Sequence, residues 1–144
     1  MKPEQPARTP DGLPGMKKRI FLVEDHPLMR RSITEAIERE LDFTVSGHAE
    51  DAPAAQAAIL SLPPDIVLTD LQLKSSSGLD LIKTLRAQLP ALPIVATTLL
   101  DARRVESLAR AAGATAFVHK ADGPDQLIAA IRSVLKPNER EENS

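Results

Sequence analysis

The chain has 144 residues, 42% hydrophobic and 26% charged, with 12 Pro and 6 Gly; this is the usage of one globular domain and excludes a disordered, collagen-like or comfortably two-domain protein. Eighteen Lys+Arg against 20 Asp+Glu leave a net charge of -2, so no broad basic field holds phosphate backbones or anionic lipid, and direct nucleic-acid binding is not expected. With no Cys, disulfides, thiolate nucleophiles and Cys-ligated zinc are excluded, and His26, His48 and His119 show no metal-ligand spacing.

Residues 1–15, MKPEQPARTPDGLPG, carry four Pro, two Gly and hardly any large apolar side chain. They lack the apolar run of roughly 7–15 residues that a secretory signal needs and read as a flexible Pro-rich leader over 1–16. From there short β-branched runs alternate with segments of helical period. Strands are predicted at Arg19–Glu24, Phe43–His48, Asp65–Asp70, Pro93–Thr98 and Thr115–Lys120. The first helix starts at Pro27, a residue preorganised for a first turn, and places Met29, Ile33, Ala36 and Ile37 on one face with Leu41 one turn on. An Ala-rich helix over 51–61 stops at Pro63-Pro64, and a third follows the strand at Asp70. The fourth, over 101–112, is expected to bury Val105, Leu108, Ala109 and Ala112 and to meet a C-terminal cap at Gly113. The last turns Leu127, Ile128, Ile131, Val134 and Leu135 inward and ends before Pro137, leaving a polar tail over 137–144. No apolar stretch reaches the roughly 20 residues of a membrane span, so no membrane association and a cytoplasmic location are expected.

Runs such as IFLV, IVL and IVA are apolar on both faces, as in a parallel sheet covered by helices. Five βα units with right-handed crossovers give an α/β domain over 17–136, a (βα)5 doubly wound open sheet. In such sheets ligands sit beyond the carboxyl ends of the strands. The residues there are Glu24 and Asp25, Asp70, Thr98 and Lys120: three carboxylates, a hydroxyl and an ammonium expected on one edge. Gathered carboxylates repel unless a cation sits among them, and Mg2+ prefers such hard oxygen ligands. Taken singly the residues have plainer readings. Glu24 and Asp25 suit the cap of the helix at Pro27, Asp70 could cap a turn, Lys120 could reach to solvent, and Thr98 is an ordinary strand residue. Their conjunction is what points to a site.

Over about residues 17–136 the chain resembles the receiver domain of two-component response regulators. The resemblance runs through LVEDHPLMRRSI, PPDIVLTDLQLKSSSGLDLI, PIVATT and GATAFVHKAD, in order and at family spacing; EDHPL is most similar to the subgroup often fused to a helix-turn-helix output domain. It implies a flavodoxin-like sheet in strand order 2-1-3-4-5. It also implies that Asp70 accepts a phosphoryl group from a histidine kinase or phosphotransfer protein. Mg2+ would be held by Glu24, Asp25, Asp70 and the backbone carbonyl of Gln72, while Thr98 and Lys120 contact the phosphoryl oxygens. Phe117 would be the aromatic whose rotamer follows Thr98. Such a domain is not an ordinary enzyme, since it assists only its own phosphorylation and dephosphorylation, and its shape change acts on a downstream protein target or output domain. The resemblance places kinase docking near the first helix, where Met29, Arg30 and Ile33 border the acidic site, with a solvated face as the other reading of Arg30-Arg31. It allows a homodimer through the fourth or fifth helix.

Departures from the family are Lys74 where Pro is usual, followed by Ser75-Ser76-Ser77; Leu99 where a small residue is common, with Leu100 after it; Ala121 where Pro is frequent, removing the expectation of a cis peptide; and Glu24 for the commoner Asp. The paired leucines at the rim predict slow self-dephosphorylation. Against the phosphorylated switch stands a degenerate receiver that binds proteins without phosphorylation. A Mg2+-dependent hydrolase would need further acids and a lid, and a flavin-type binder would need more than three Phe for stacking. The tail NEREENS favours a stand-alone regulator over the receiver of a longer DNA-binding protein.

Overall fold

The computed structural model describes residues 16–100 and 103–135. The expected leader over 1–16, apart from Met16, and the expected tail over 137–144 lie outside these residues. Five strands, β1 (Lys18–Val23), β2 (Phe43–Ala49), β3 (Ile66–Asp70), β4 (Ile94–Thr98) and β5 (Ala116–His119), alternate with five helices, α1 (Pro27–Glu38), α2 (Ala52–Ser61), α3 (Gly78–Gln88), α4 (Arg103–Ala112) and α5 (Pro124–Leu135). The strands form one parallel sheet in the order β2-β1-β3-β4-β5, as expected.

Side chains alternate across a strand, and here both sets are apolar. Phe21, Val23, Val67, Ile94 and Ala96 meet Ile59 of α2, Leu81, Ile82 and Leu85 of α3 and Ala109 of α4 on one face. Ile20, Leu22, Ile66, Leu68 and Val95 meet Ile33 and Ile37 of α1 and Leu127 and Ile131 of α5 on the other. This double cover is why the strands read as continuous apolar runs. It leaves the two ends of the sheet as the places where polar residues gather.

Three helical expectations need correction. α1 ends at Glu38, whose carboxylate accepts from the Val45 amide at 2.8 Å and the Thr44 hydroxyl at 3.0 Å. The chain then turns, bringing Phe43 into the core at 2% exposure and leaving Leu41 91% exposed. On α4 the buried stripe is Ala109 and Ala112 with Val105 half-buried, while Leu108, at the flank of that stripe, is 50% exposed. Ile33 is buried beneath α1 at 4% exposure and presents nothing to a docking partner. Gly113 does adopt the left-handed backbone of a C-terminal cap, φ +124°, and a Cβ there would also strike Arg86. Arg86 holds that end of α4 by donating to the Gly113 carbonyl at 2.6 and 3.0 Å.

Candidate functional site at the carboxyl edge of the sheet

β1 delivers its chain to the sheet edge at Val23, and Glu24 and Asp25 fall in the loop before α1, with the Glu24 amide donating to the Ala49 carbonyl at 3.0 Å. Neither acid caps α1. His26 does so, its Nδ1 accepting from the Met29 amide at 3.3 Å, with Pro27 opening the helix. Both carboxylates are thereby left for the site. Arg30 settles its own role differently from either reading above: it donates to the Glu24 carbonyl at 3.0 Å and pairs with Glu50 at 3.5 Å, with 18% of its side chain exposed. It clamps the acidic loop from below. Arg31 lies on the solvated side, paired with Glu35.

Asp70 ends β3, 8% exposed. Lys120 lies just past β5, at the start of a 3-10 turn over Lys120–Asp122, and its Lys120–Ala121 bond is trans. Its ammonium donates to Asp70 Oδ2 at 2.8 Å and to Glu24 Oε1 at 2.5 Å, across 50 and 96 positions of sequence. Only 5% of that side chain is exposed, against 2% for Glu24 and 10% for Asp70. Burial works against the lysine charge, but hydrogen bonds from the ammonium to Asp70 and then Glu24, with their attraction, outweigh it and hold the ammonium above the ordinary lysine range.

Each carboxylate also accepts one main-chain amide: His26 N–H to Glu24 Oε2 at 3.2 Å, Gln72 N–H to Asp70 Oδ1 at 3.1 Å, and Lys74 N–H to Asp25 Oδ2. One oxygen from each of Glu24, Asp25 and Asp70 lies within 4.8 Å of the others. Three carboxylates against the one ammonium paired to them leave two formal negative charges at this edge. The donor set is all oxygen and its excess charge equals one divalent ion. An octahedral Mg2+ holds its oxygens no more than about 4.2 Å apart; three carboxylate oxygens already within 4.8 Å of one another need little movement to reach that, so the residues present fit that ion.

A cavity of about 240 Å3 opens over these groups, rimmed by Met29, Gln72 and Leu99 as well as the charged residues. Thr98 and Phe117 do not line it. Thr98, fully buried at the end of β4, accepts from the Leu100 amide at 3.1 Å and so holds the turn leaving the strand. Phe117, partly buried on β5, packs against the core and lines a separate groove with residues of α4 and α5.

Two contributors were not legible from the residue types. The Arg30 clamp depends on tertiary approach alone. Gly78 follows the loop after Asp70, and a Cβ there would stand 2.0 Å from the Asp70 carbonyl oxygen and 2.8 Å from the Leu71 Cα. Only glycine lets α3 start this close to the strand end; a Gly after a Ser run and before a helical period was the available signal.

A family model described as the response regulator receiver domain matches residues 20–132. A nitrate/nitrite response regulator protein homolog of Haemophilus influenzae is 33% identical over 120 residues, 83% of this chain and 58% of that protein. The DNA-binding response regulator MtrA of Mycolicibacterium smegmatis is 35% identical over 127 residues, 88% of this chain and 54% of that protein. The crystal structure of a LuxR-family two-component response regulator from Aurantimonas sp. superposes with a TM-score of 0.79 at 33% identity, covering 83% of this chain and 85% of that one. The chain thus spans about half the length of the curated relatives it matches. The sheet order agrees with these matches, and the chain belongs to the response regulator receiver domain family of two-component systems.

Proposed function

We propose that this receiver is switched by phosphorylation of Asp70, with Mg2+ held by Glu24, Asp25, Asp70 and the backbone carbonyl of Gln72. The observation that carries this reading is the buried convergence of three carboxylates on Lys120, with two negative charges left over. A phosphorylation-independent binding module would have no use for so costly an arrangement.

In the step itself an Asp70 carboxylate oxygen forms a bond to phosphorus as the donor's N–P bond breaks, and the electron pair stays on the imidazole nitrogen of the donor histidine. When bound, the ion supplies positive charge to the transferring oxygens. Gln72 N–H holds one Asp70 oxygen in place. Lys120 is already on the other and is the group to follow the charge onto the phosphoryl oxygens, a preorganised electrostatic contribution. The Thr98 hydroxyl, which accepts from the Leu100 amide, would then swing away from it to donate its proton to a phosphoryl oxygen. That move would loosen the turn after β4 and free Phe117 to follow, with the change felt along α4, β5 and α5.

The donor is read as a histidine kinase or phosphotransfer protein meeting the cavity beside Met29. Output passes to a protein target or to a further domain of a longer protein; relatives named as DNA-binding regulators support the second route. A homodimer through α4 or α5 fits the groove at Phe117. The receiver unit is taken as 17–136. Among the described residues no helix is long and apolar enough to cross a membrane.

Incubating the protein with acetyl phosphate and Mg2+, then weighing it intact, tests the reading. A gain of about 80 Da, one phosphoryl group, is expected in the parent and not in Asp70→Asn. No gain in the parent, or a gain that survives the substitution, would overturn it.

A further inference from the structure

The loop between β3 and α3 is tied at each step. Gln72 bridges to Ser77, the Leu71 carbonyl accepts from the Gly78 amide at 3.0 Å, and the Ser76 hydroxyl accepts from the Ala52 amide at the start of α2 at 2.8 Å. Between these ties the main-chain N–H of Lys74 reaches 49 positions back in sequence to Asp25 Oδ2. Of the six carboxylate oxygens at the site, Glu24 and Asp70 have both of theirs bonded. Asp25 Oδ1 takes no hydrogen bond from a described residue. Among the described residues the Lys74 amide is therefore the one group that orients the Asp25 carboxylate, and it leaves Oδ1 without a competing donor.

We propose that the Lys74 amide is a positioning group for the divalent cation: by holding Asp25 Oδ2 it leaves Oδ1 as a pre-oriented ligand and ties cation affinity to order in the β3–α3 loop. The inference rests on the reading of Glu24, Asp25 and Asp70 as the cation site. A hydrogen bond that orients a ligand typically changes metal affinity by 10–100-fold. Linkage is reciprocal, so the ion must steady the loop amide by the factor by which the amide favours the ion. The side chain of Lys74 has no part in this, since its main chain makes the bond.

Lys74→Pro deletes the N–H, whereas Lys74→Ala keeps it and removes the charge. Titrating Mg2+ by calorimetry is expected to show affinity about tenfold weaker for Lys74→Pro and within twofold of the parent for Lys74→Ala. Ser76→Ala, which loosens the same loop at its other anchor and keeps the amide, is expected to lose less than Lys74→Pro. In the parent, hydrogen exchange at the Lys74 amide should slow about tenfold on adding Mg2+. That measurement needs no variant and no phosphodonor. Equal affinities of Lys74→Pro and parent, equal losses in Lys74→Pro and Ser76→Ala, or unchanged exchange at Lys74 would each overturn the inference while the parent still binds Mg2+. A parent that does not bind Mg2+ would overturn the cation site as well.

Discussion

Each end of the sheet sets one basic side chain among acids, to opposite effect. At the carboxyl edge one ammonium, 5% exposed, serves two buried carboxylates with a third beside them. At the amino edge Arg132 of α5 pairs with Asp42 at 2.6 Å and Glu40 at 2.7 Å and lies 4.5 Å over the Phe43 ring, all with side chains at least one-third exposed except the aromatic. Water screens the second cluster, so its excess negative charge costs little and its function is to tie α5 to the turn before β2. The first cluster is shielded from water, so its imbalance is a standing cost that a bound cation offsets. Burial, rather than the number of acids, separates a site from a latch.

Several substitutions break or sharpen this contrast, beginning with the largest effect. Lys120→Met should destabilise the cation-free protein by about 3 kcal/mol, because two buried carboxylates lose their shared partner. Urea unfolding checks this, and added Mg2+ should recover part of the loss if the ion takes over the neutralising role. Gly78→Ala should cost about 2–3 kcal/mol, since its Cβ meets backbone atoms that have to move. The same change should slow phosphorylation by acetyl phosphate, because the displaced atoms belong to Asp70 and Leu71.

At the amino edge Arg132→Ala should cost only about 1 kcal/mol, and less in high salt. The hydrogen bond from Arg132 holds the Asp42 carboxyl below its ordinary value of 3.8. A lowered folded-state pKa means that the stabilisation is present above the unfolded value and is lost as pH falls through the folded one. Thermal melts of parent and Arg132→Ala should therefore differ most at pH 6, and the gap should narrow as pH falls below the ordinary value of 3.8, leaving the part that Arg132 contributes over the Phe43 ring. The smallest effect concerns the rim. Leu99, 62% exposed, borders the cavity over Asp70, while Leu100 does not line it. Leu99→Ala should shorten the phosphorylated lifetime a few-fold and Leu100→Ala by less, followed by the decay of the added mass.

The doubly wound sheet was readable because apolar runs of strand length alternate with helical periods, and a chain buried on both faces has no polar side to confuse the pattern. Glu24, Asp25, Asp70 and Lys120 were readable because each sits at or next to the end of such a run, and in a parallel sheet those ends share one edge. Local periodicity failed where an element stopped for tertiary reasons. Leu41 continued the stripe of α1, yet the helix ends at Glu38 and Phe43 takes the buried place. Leu108 matched the period of α4, yet the packed stripe of small residues leaves it at the flank.

By itself the sequence determined the order of elements, which strand ends carry charge, and the excess of acid over base at that edge, since these follow from residue type and spacing along the chain. Only the tertiary structure decided that Lys120 serves Glu24 and Asp70 together, that Arg30 clamps the acidic loop, that Thr98 is occupied by the Leu100 amide, and that the Lys74 main chain orients Asp25. Those are hydrogen bonds and exposures between groups brought close by packing. Their strength depends on distance and on exclusion of water, quantities that no spacing along a chain contains.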